Sequence, residues 1–186
     1  MLRRLQKDIL KPLLPSRNEF LLFCRPSQQQ CHVYRRLTDG IVERASSMAS
    51  ADALTALSSL RKLCCHPFLL DGSLSYTLEL SGKLLVLNEL LHEIREACPD
   101  DKVVIVSNFT TALTAVEDLV LKPNSVPFSR LDGSTDQASR QNLVDSFNRS
   151  SSSHLFAFLL SSKSGGCGLN LVGGKPVVRE LLVCYS

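Results

Sequence analysis

The chain has 186 residues, 44% hydrophobic and 21% charged, with a mean hydropathy of +0.07. That composition belongs to an ordinary globular protein and excludes global disorder. At about 150 residues per domain, the length predicts one domain with extra material or a piece of something larger. The net charge of +3 is uneven: residues 1–36 carry eight basic and two acidic side chains, while residues 37–186 carry thirteen basic and sixteen acidic. The apolar runs Leu155 to Leu160 and Leu84 to Leu87 fall far short of the roughly 18 residues that cross a bilayer, so no membrane partner is expected. Met1 to Lys7 has charges but no apolar core or cleavage site of a secretory signal. The seven cysteines are therefore expected to be reduced. They form no C-x-x-C pair, and with four scattered histidines they predict no metal site; most are expected to be small core hydrophobes.

In chain order, residues 2 to 14 read as a basic helix that stops near Pro12, because proline lacks the amide proton. Glu19 to Cys24 is a short apolar run that predicts a strand. Ser27, after Pro26, suits the cap of a helix through Val33, Tyr34 and Leu37. A small-residue stretch, Ala45 to Ser50, precedes Ala53, Leu57, Leu60 and Cys64 at helical spacing, and His66-Pro67 ends that helix. Ser81 caps a further helix whose stripe is Leu84, Leu87, Leu91, Ile94 and Cys98. Lys102 to Ser107 is a β-branched run suited to a strand buried on both faces of a parallel sheet. A helix from about Thr110 to Val120 follows, then a strand from Phe128 to Leu131. Gly133-Ser134-Thr135 reads as a turn and cap for a helix from Gln137 to Phe147, and Leu155 to Leu160 as a third strand. The alternation predicts an α/β fold with right-handed βαβ units, a parallel sheet with helices on its faces.

Several familiar sites fail on spacing. Ser81-Gly82-Lys83 lacks a phosphate loop's first glycine, since Thr77 stands there, and lacks its hydroxyl, since Leu84 follows; a helix start with a solvated Lys83 is expected instead. Gly165-Gly166-Cys167-Gly168 misses the dinucleotide fingerprint at Leu171. Cys64-Cys65-His66 offers a thiol beside a base but no orienting group, so a packed helix end is expected. What remains is three hydroxyl-rich turns at the carboxyl ends of strands: Asn108, Thr110 and Thr111; Gly133, Ser134 and Thr135; and Ser161, Ser162, Lys163 and Gly165 to Gly168. That edge is where α/β sheets bind ligands and where free amides meet phosphate. On composition alone the same hydroxyls suit helix caps equally well.

The motifs Leu60 to Pro67, Ser81 to Leu84, Lys102 to Thr111, Arg130 to Thr135 and Leu159 to Leu171 resemble, in order and spacing, the second motor lobe of SWI/SNF-type helicase-related ATPases of superfamily two, over about residues 1 to 174. Leu2 to Arg4, Phe23 to Ser27 and Val103 to Phe109 are most similar to the recombination-repair branch, the Rad fifty-four type DNA translocases and their B paralogue. Family members usually carry asparagine where Cys65 stands, and a longer charged insert where Asp71 to Leu80 lies. The resemblance implies a RecA-like sheet with helices on both faces, preceded by a mainly helical inter-lobe segment over 1–80. The partial second lobe would occupy 81–174 and a divergent tail 175–186. It implies that Ser107, Asn108 and Thr110 of the fourth helicase motif, Gly133, Ser134 and Thr135 of the next turn, and Ser162, Lys163 and Gly166 of the fifth motif face DNA phosphates. Gly168 and Asn170 would lie toward the nucleotide ribose.

It further implies double-stranded DNA, a first ATPase lobe and a strand-exchange recombinase as partners, a nuclear location, and homologous recombination and repair as the setting. ATP and Mg²⁺ would be cofactors of a full-length translocase and none would be retained by this chain alone, because the phosphate loop, the acidic metal ligands and the sixth-motif arginines are not among these residues. The chain then reads as a truncated or alternatively spliced fragment with no catalytic residue of its own, inactive by itself. Two rivals remain at this point: a non-catalytic module binding DNA or a protein partner through the same turns, and a small Rossmann-like enzyme.

Overall fold

The computed structural model describes residues 19–44, 50–163, 169–171, 173 and 177–179; the expected helix over residues 2 to 14 lies outside them. Two helices come first, α1 (Gln28–Arg44) and α2 (Ser50–Cys65). Ser27 caps α1, its hydroxyl accepting the Gln30 N–H at 3.1 Å. α2 stops at His66-Pro67. The His66 ring is fully buried: its Nδ1 accepts the Phe68 N–H at 3.1 Å and its Nε2 lies 2.9 Å from the Thr77 carbonyl. His66 and Cys65 thus hold a helix end and are not poised for chemistry.

Glu19 to Cys24 does not form the expected strand. It runs without regular structure, Phe20 and Phe23 are 85% and 74% exposed, and only Cys24 is buried. A strand needs a neighbour for its backbone groups, and no described strand pairs with this one.

The remaining elements are α3 (Gly82–Ala97), β1 (Val103–Ser107), α4 (Thr110–Val116) continued by a π turn at Glu117–Leu121, β2 (Phe128–Leu131), α5 (Gln137–Arg149), β3 (Ala157–Ser161) and β4 (Val177–Arg179). The four strands form one parallel sheet in the order β2-β3-β1-β4, with Val103 opposite Ala157, Ser107 opposite Ser161, and Leu131 opposite Leu160. The strand period of two divides the core into two layers. Val103 and Ile105 of β1 and Ala157 and Leu159 of β3 meet Leu84, Leu87 and Leu91 of α3 and Leu113 and Val116 of α4. Val104, Phe158 and Leu160 turn the other way, onto Val144 and Phe147 of α5. Phe147 and Phe158, both fully buried, meet with their rings tilted by 47° and centroids 5.0 Å apart. The sheet therefore has helices on both faces, as the resemblance implies.

Three local expectations change. The α5 cap is Asp136, whose carboxylate accepts the Ser139 N–H at 2.9 Å, and not the Gly133-Ser134-Thr135 turn, whose groups are already bonded to Asp132. Cys98, the residue after α3, is exposed; Cys24 and Cys65 are buried, and Cys31 and Cys64 lie partly so. Lys83 is half-buried and lines a cavity together with Leu22 and Val106, rather than being fully solvated.

Candidate nucleic-acid interface

Because β1, β2 and β3 are parallel and in near register, the loops that follow them emerge at one edge. Two of these loops are bonded directly. Ser162 donates its N–H to the Ser107 carbonyl at 3.0 Å and its hydroxyl to the Asn108 side-chain oxygen. Ser107 is buried, and its hydroxyl accepts the Phe109 N–H at 3.1 Å, so it shapes the turn from inside. Asn108, Thr110, Ser162 and Lys163 are exposed. Lys163 has no bonded partner among the described residues.

The middle loop is organised by Asp132, which is 7% exposed. Its carboxylate accepts the Ser134 N–H at 3.0 Å, the Ser134 hydroxyl at 2.6 Å and Arg130 Nε at 2.7 Å. The Ser134 hydroxyl bond above all, with the Arg130 charge behind it, holds this carboxyl below the usual range against the opposing effect of burial. Thr135 closes the turn by accepting the Asp132 N–H at 3.1 Å. Gly133 and Ser134 lie at the surface and Thr135 half beneath it.

Arg130 joins the middle loop to the first. Its guanidinium donates to the Thr114 hydroxyl and Glu117 carboxylate, each at 3.1 Å, and to the Thr110 carbonyl at 3.3 Å. A planar fork of five donors suits such bridging, which commits Arg130 to the protein's own carboxylates and carbonyls. Sequence reasoning missed Asp132 and Glu117 as organisers; an aspartate directly before Gly-Ser-Thr was the available sign of an Asx turn.

Gly166 and Gly168 lie outside the described residues. Asn170 is not brought to this edge. Its carbonyl accepts the Asn148 side-chain amide at 2.8 Å, in the last turn of α5, and Asn148 also accepts the Gly173 N–H at 3.0 Å. That turn lies at the amino ends of the strands, beside Lys102, whose ammonium donates to the carbonyls of Phe147 and, at 2.9 Å, Ser150. The described residues do not assemble a site for a nucleoside triphosphate and its metal. Residues 77–83 lack a phosphate loop, and no cluster of three His, Cys, Asp or Glu among the described residues is disposed to hold a metal ion. Among the described residues, no helix is long and apolar enough to cross a membrane.

The helicase conserved C-terminal domain model matches residues 82–180, and the SNF2-related domain model matches residues 1–69. The chain is 37% identical to the human DNA repair and recombination protein RAD54B over 96% of its own length and 23% of that protein's. It is 34% identical to the DNA repair protein rhp54 of Schizosaccharomyces pombe over 94% and 23%. It thus spans about a quarter of the length of these relatives. The fold is shared with the Sulfolobus solfataricus SWI2/SNF2 ATPase core domain at a TM-score of 0.80 and 23% identity, over 94% of this chain and 36% of that one. The helices on both sheet faces, the parallel order and the model spanning more than half of the residues agree: the chain belongs to the helicase conserved C-terminal domain family, in its SNF2-related form.

Proposed function

We propose that this chain is the DNA-gripping portion of the second lobe of an ATP-dependent double-stranded DNA translocase of homologous recombination and repair, working in the nucleus. The observation that carries the reading is the bonded carboxyl edge. Ser162 fastens the loop after β3 to the loop after β1, Arg130 fastens the loop after β2 to the same one, and Lys163 stands exposed beside them. Three loops tied together keep a fixed spacing, which suits successive phosphates of one strand better than a single small ligand. Lys163 supplies a point charge to the backbone; Ser134, Thr110 and the turn amides supply neutral donors. Ser107 and Asn108 hold the turn in shape. Gly133 leaves its turn without a side chain in the way, and Gly166 is assigned to the same contact by its position in the fifth motif.

ATP and Mg²⁺ belong, in this reading, to a longer protein that contributes a phosphate loop, and Gly168 and Asn170 are assigned to the nucleotide side by motif position alone. A first ATPase lobe and a strand-exchange recombinase are the partners it implies. The alternative, a non-catalytic module that holds DNA or a protein partner, is favoured for the isolated chain by the missing phosphate loop. Titration of unrelated duplexes at several salt concentrations, together with an ATPase assay, tests both. Binding indifferent to sequence, weakened by salt and without DNA-stimulated hydrolysis is the expected result. A strong preference for one sequence, or binding that ignores salt, would reject the motor-lobe reading; DNA-stimulated turnover by a clean preparation would reject the inactivity of the isolated chain.

A further inference from the structure

Gln30 is 2% exposed and saturates its amide between three helix ends. Its side-chain oxygen accepts the Ser27 N–H at 3.0 Å and the Gly82 N–H at 3.1 Å, ahead of α1 and at the head of α3. Its side-chain nitrogen donates to the carbonyls of Leu63 at 2.9 Å and Cys64 at 3.4 Å, in the last turn of α2. Two acceptor sites and two donor hydrogens are all that a glutamine amide has, and all four are used. Two serines repeat the pattern. Ser27 donates to the Leu80 carbonyl at 2.9 Å, and Ser81 donates to the Cys65 carbonyl while accepting the Leu84 N–H.

An independent observation points to the same junction. A Cβ added at Gly82 would fall 1.8 Å from the Arg25 carbonyl oxygen and 2.8 Å from its carbon, so the chain before α1 lies directly on the head of α3. From that head, Leu84, Leu87 and Leu91 pack onto Val103 and Ile105 of β1. Polar bonds at the helix ends and apolar contacts along α3 thus form one continuous connection from α1 to the sheet.

We propose that Gln30 is a positioning residue that makes the α1–α2 pair and the sheet one rigid body, so that lobe movement does not bend the chain between α2 and α3. The consequence for lobe movement rests on the two-lobed motor reading, while the rigid junction rests on these contacts alone. Glutamine is required because a carboxylate cannot donate to Leu63 and Cys64 and would face their carbonyl oxygens in a buried site. A protonated carboxyl recovers one donor.

The test is a distance measurement on this chain, with spin-labelled non-canonical residues at His32 on α1 and Gln141 on α5, both exposed. The parent should give one narrow distance distribution. Gln30→Leu and Gly82→Ala should broaden it or add a second distance. Gln30→Glu should be broad near neutral pH and narrow again at about pH 5, as the buried carboxyl takes up a proton, while the parent stays unchanged over that range. A residue that only stabilised the fold would lower the unfolding temperature in these variants without altering the distribution below it. A broad distribution in the parent, or narrow distributions in all three variants, would overturn the proposal. Neither measurement involves DNA, so its failure is separate from failure of the DNA-gripping reading.

Discussion

Lys102 and Lys163 stand at opposite ends of the same sheet and have opposite environments. Lys102 precedes β1, is 5% exposed, sits 4.7 Å over the Phe147 ring and caps the end of α5 through the carbonyls of Phe147 and Ser150. Burial pushes its ammonium below the ordinary lysine range. Lys163 follows β3, is exposed and bonds to no described residue. One lysine is consumed by the fold and the other bonds to nothing among the described residues, although both adjoin apolar strands in the sequence. Arg130 teaches the same lesson, because a cation at the carboxyl edge is spent on Glu117 and Asp132.

The largest effect should come from the amino end. Lys102→Met keeps the apolar stem but leaves the carbonyls of Phe147 and Ser150 at the end of α5 without their donor, a loss of about 2 kcal/mol in unfolding free energy. Urea unfolding should detect it, and duplex affinity measured below the transition should match the parent. An unchanged midpoint would mean that the ammonium is not needed at the end of α5.

Asp132→Asn should cost about 1 kcal/mol at neutral pH by weakening the turn that ties Arg130 to Ser134. The folded-state pKa of Asp132 is depressed, so its contribution is present above the unfolded carboxylate value of about 4 and is lost as pH falls through the folded value. The gap between parent and variant in thermal unfolding should therefore shrink below about pH 4, and a gap that widened on acidification would contradict the assignment.

Lys163→Ala should leave stability within about 0.5 kcal/mol, as for exposed positions in general. Duplex affinity should fall on the order of fivefold, about 1 kcal/mol, and in a full-length translocase DNA coupling should weaken more than ATP affinity. Equal DNA-stimulated ATPase rates for variant and parent would remove Lys163 from the interface. The smallest change is in salt dependence: each neutralised phosphate contributes a slope of about 0.9, so Lys163→Ala should flatten the log–log plot by roughly that amount, and Lys102→Met should not move it.

Periodicity and punctuation were enough to read the described helices, the three longer strands and the parallel sheet. Ser27 and Ser81 cap where a hydroxyl before an amphipathic stripe must, and Val103 to Ser107 is buried on both faces as a β-branched run requires. These properties are local, and each depends on neighbours within a few residues. The carboxyl-edge residues were legible as a set for a related reason, since parallel strands deliver their following loops to one edge whatever lies between them.

Partnership at long range was not legible. Glu19 to Cys24 has a strand's composition but pairs with no described strand, and Asp132 takes the Ser134 hydroxyl that read as part of a cap. Gln30 gives no sign in the sequence at all, because its four bonds reach positions 27, 63, 64 and 82 that only folding brings together. The sequence by itself determined which described segments are helix, which can be strand and which loops share an edge, since short-range sterics and hydrophobic period decide those. The tertiary structure alone decided which polar groups are spent inside and which remain free, because a buried donor takes whichever acceptor the packed chain places within about 3 Å of it.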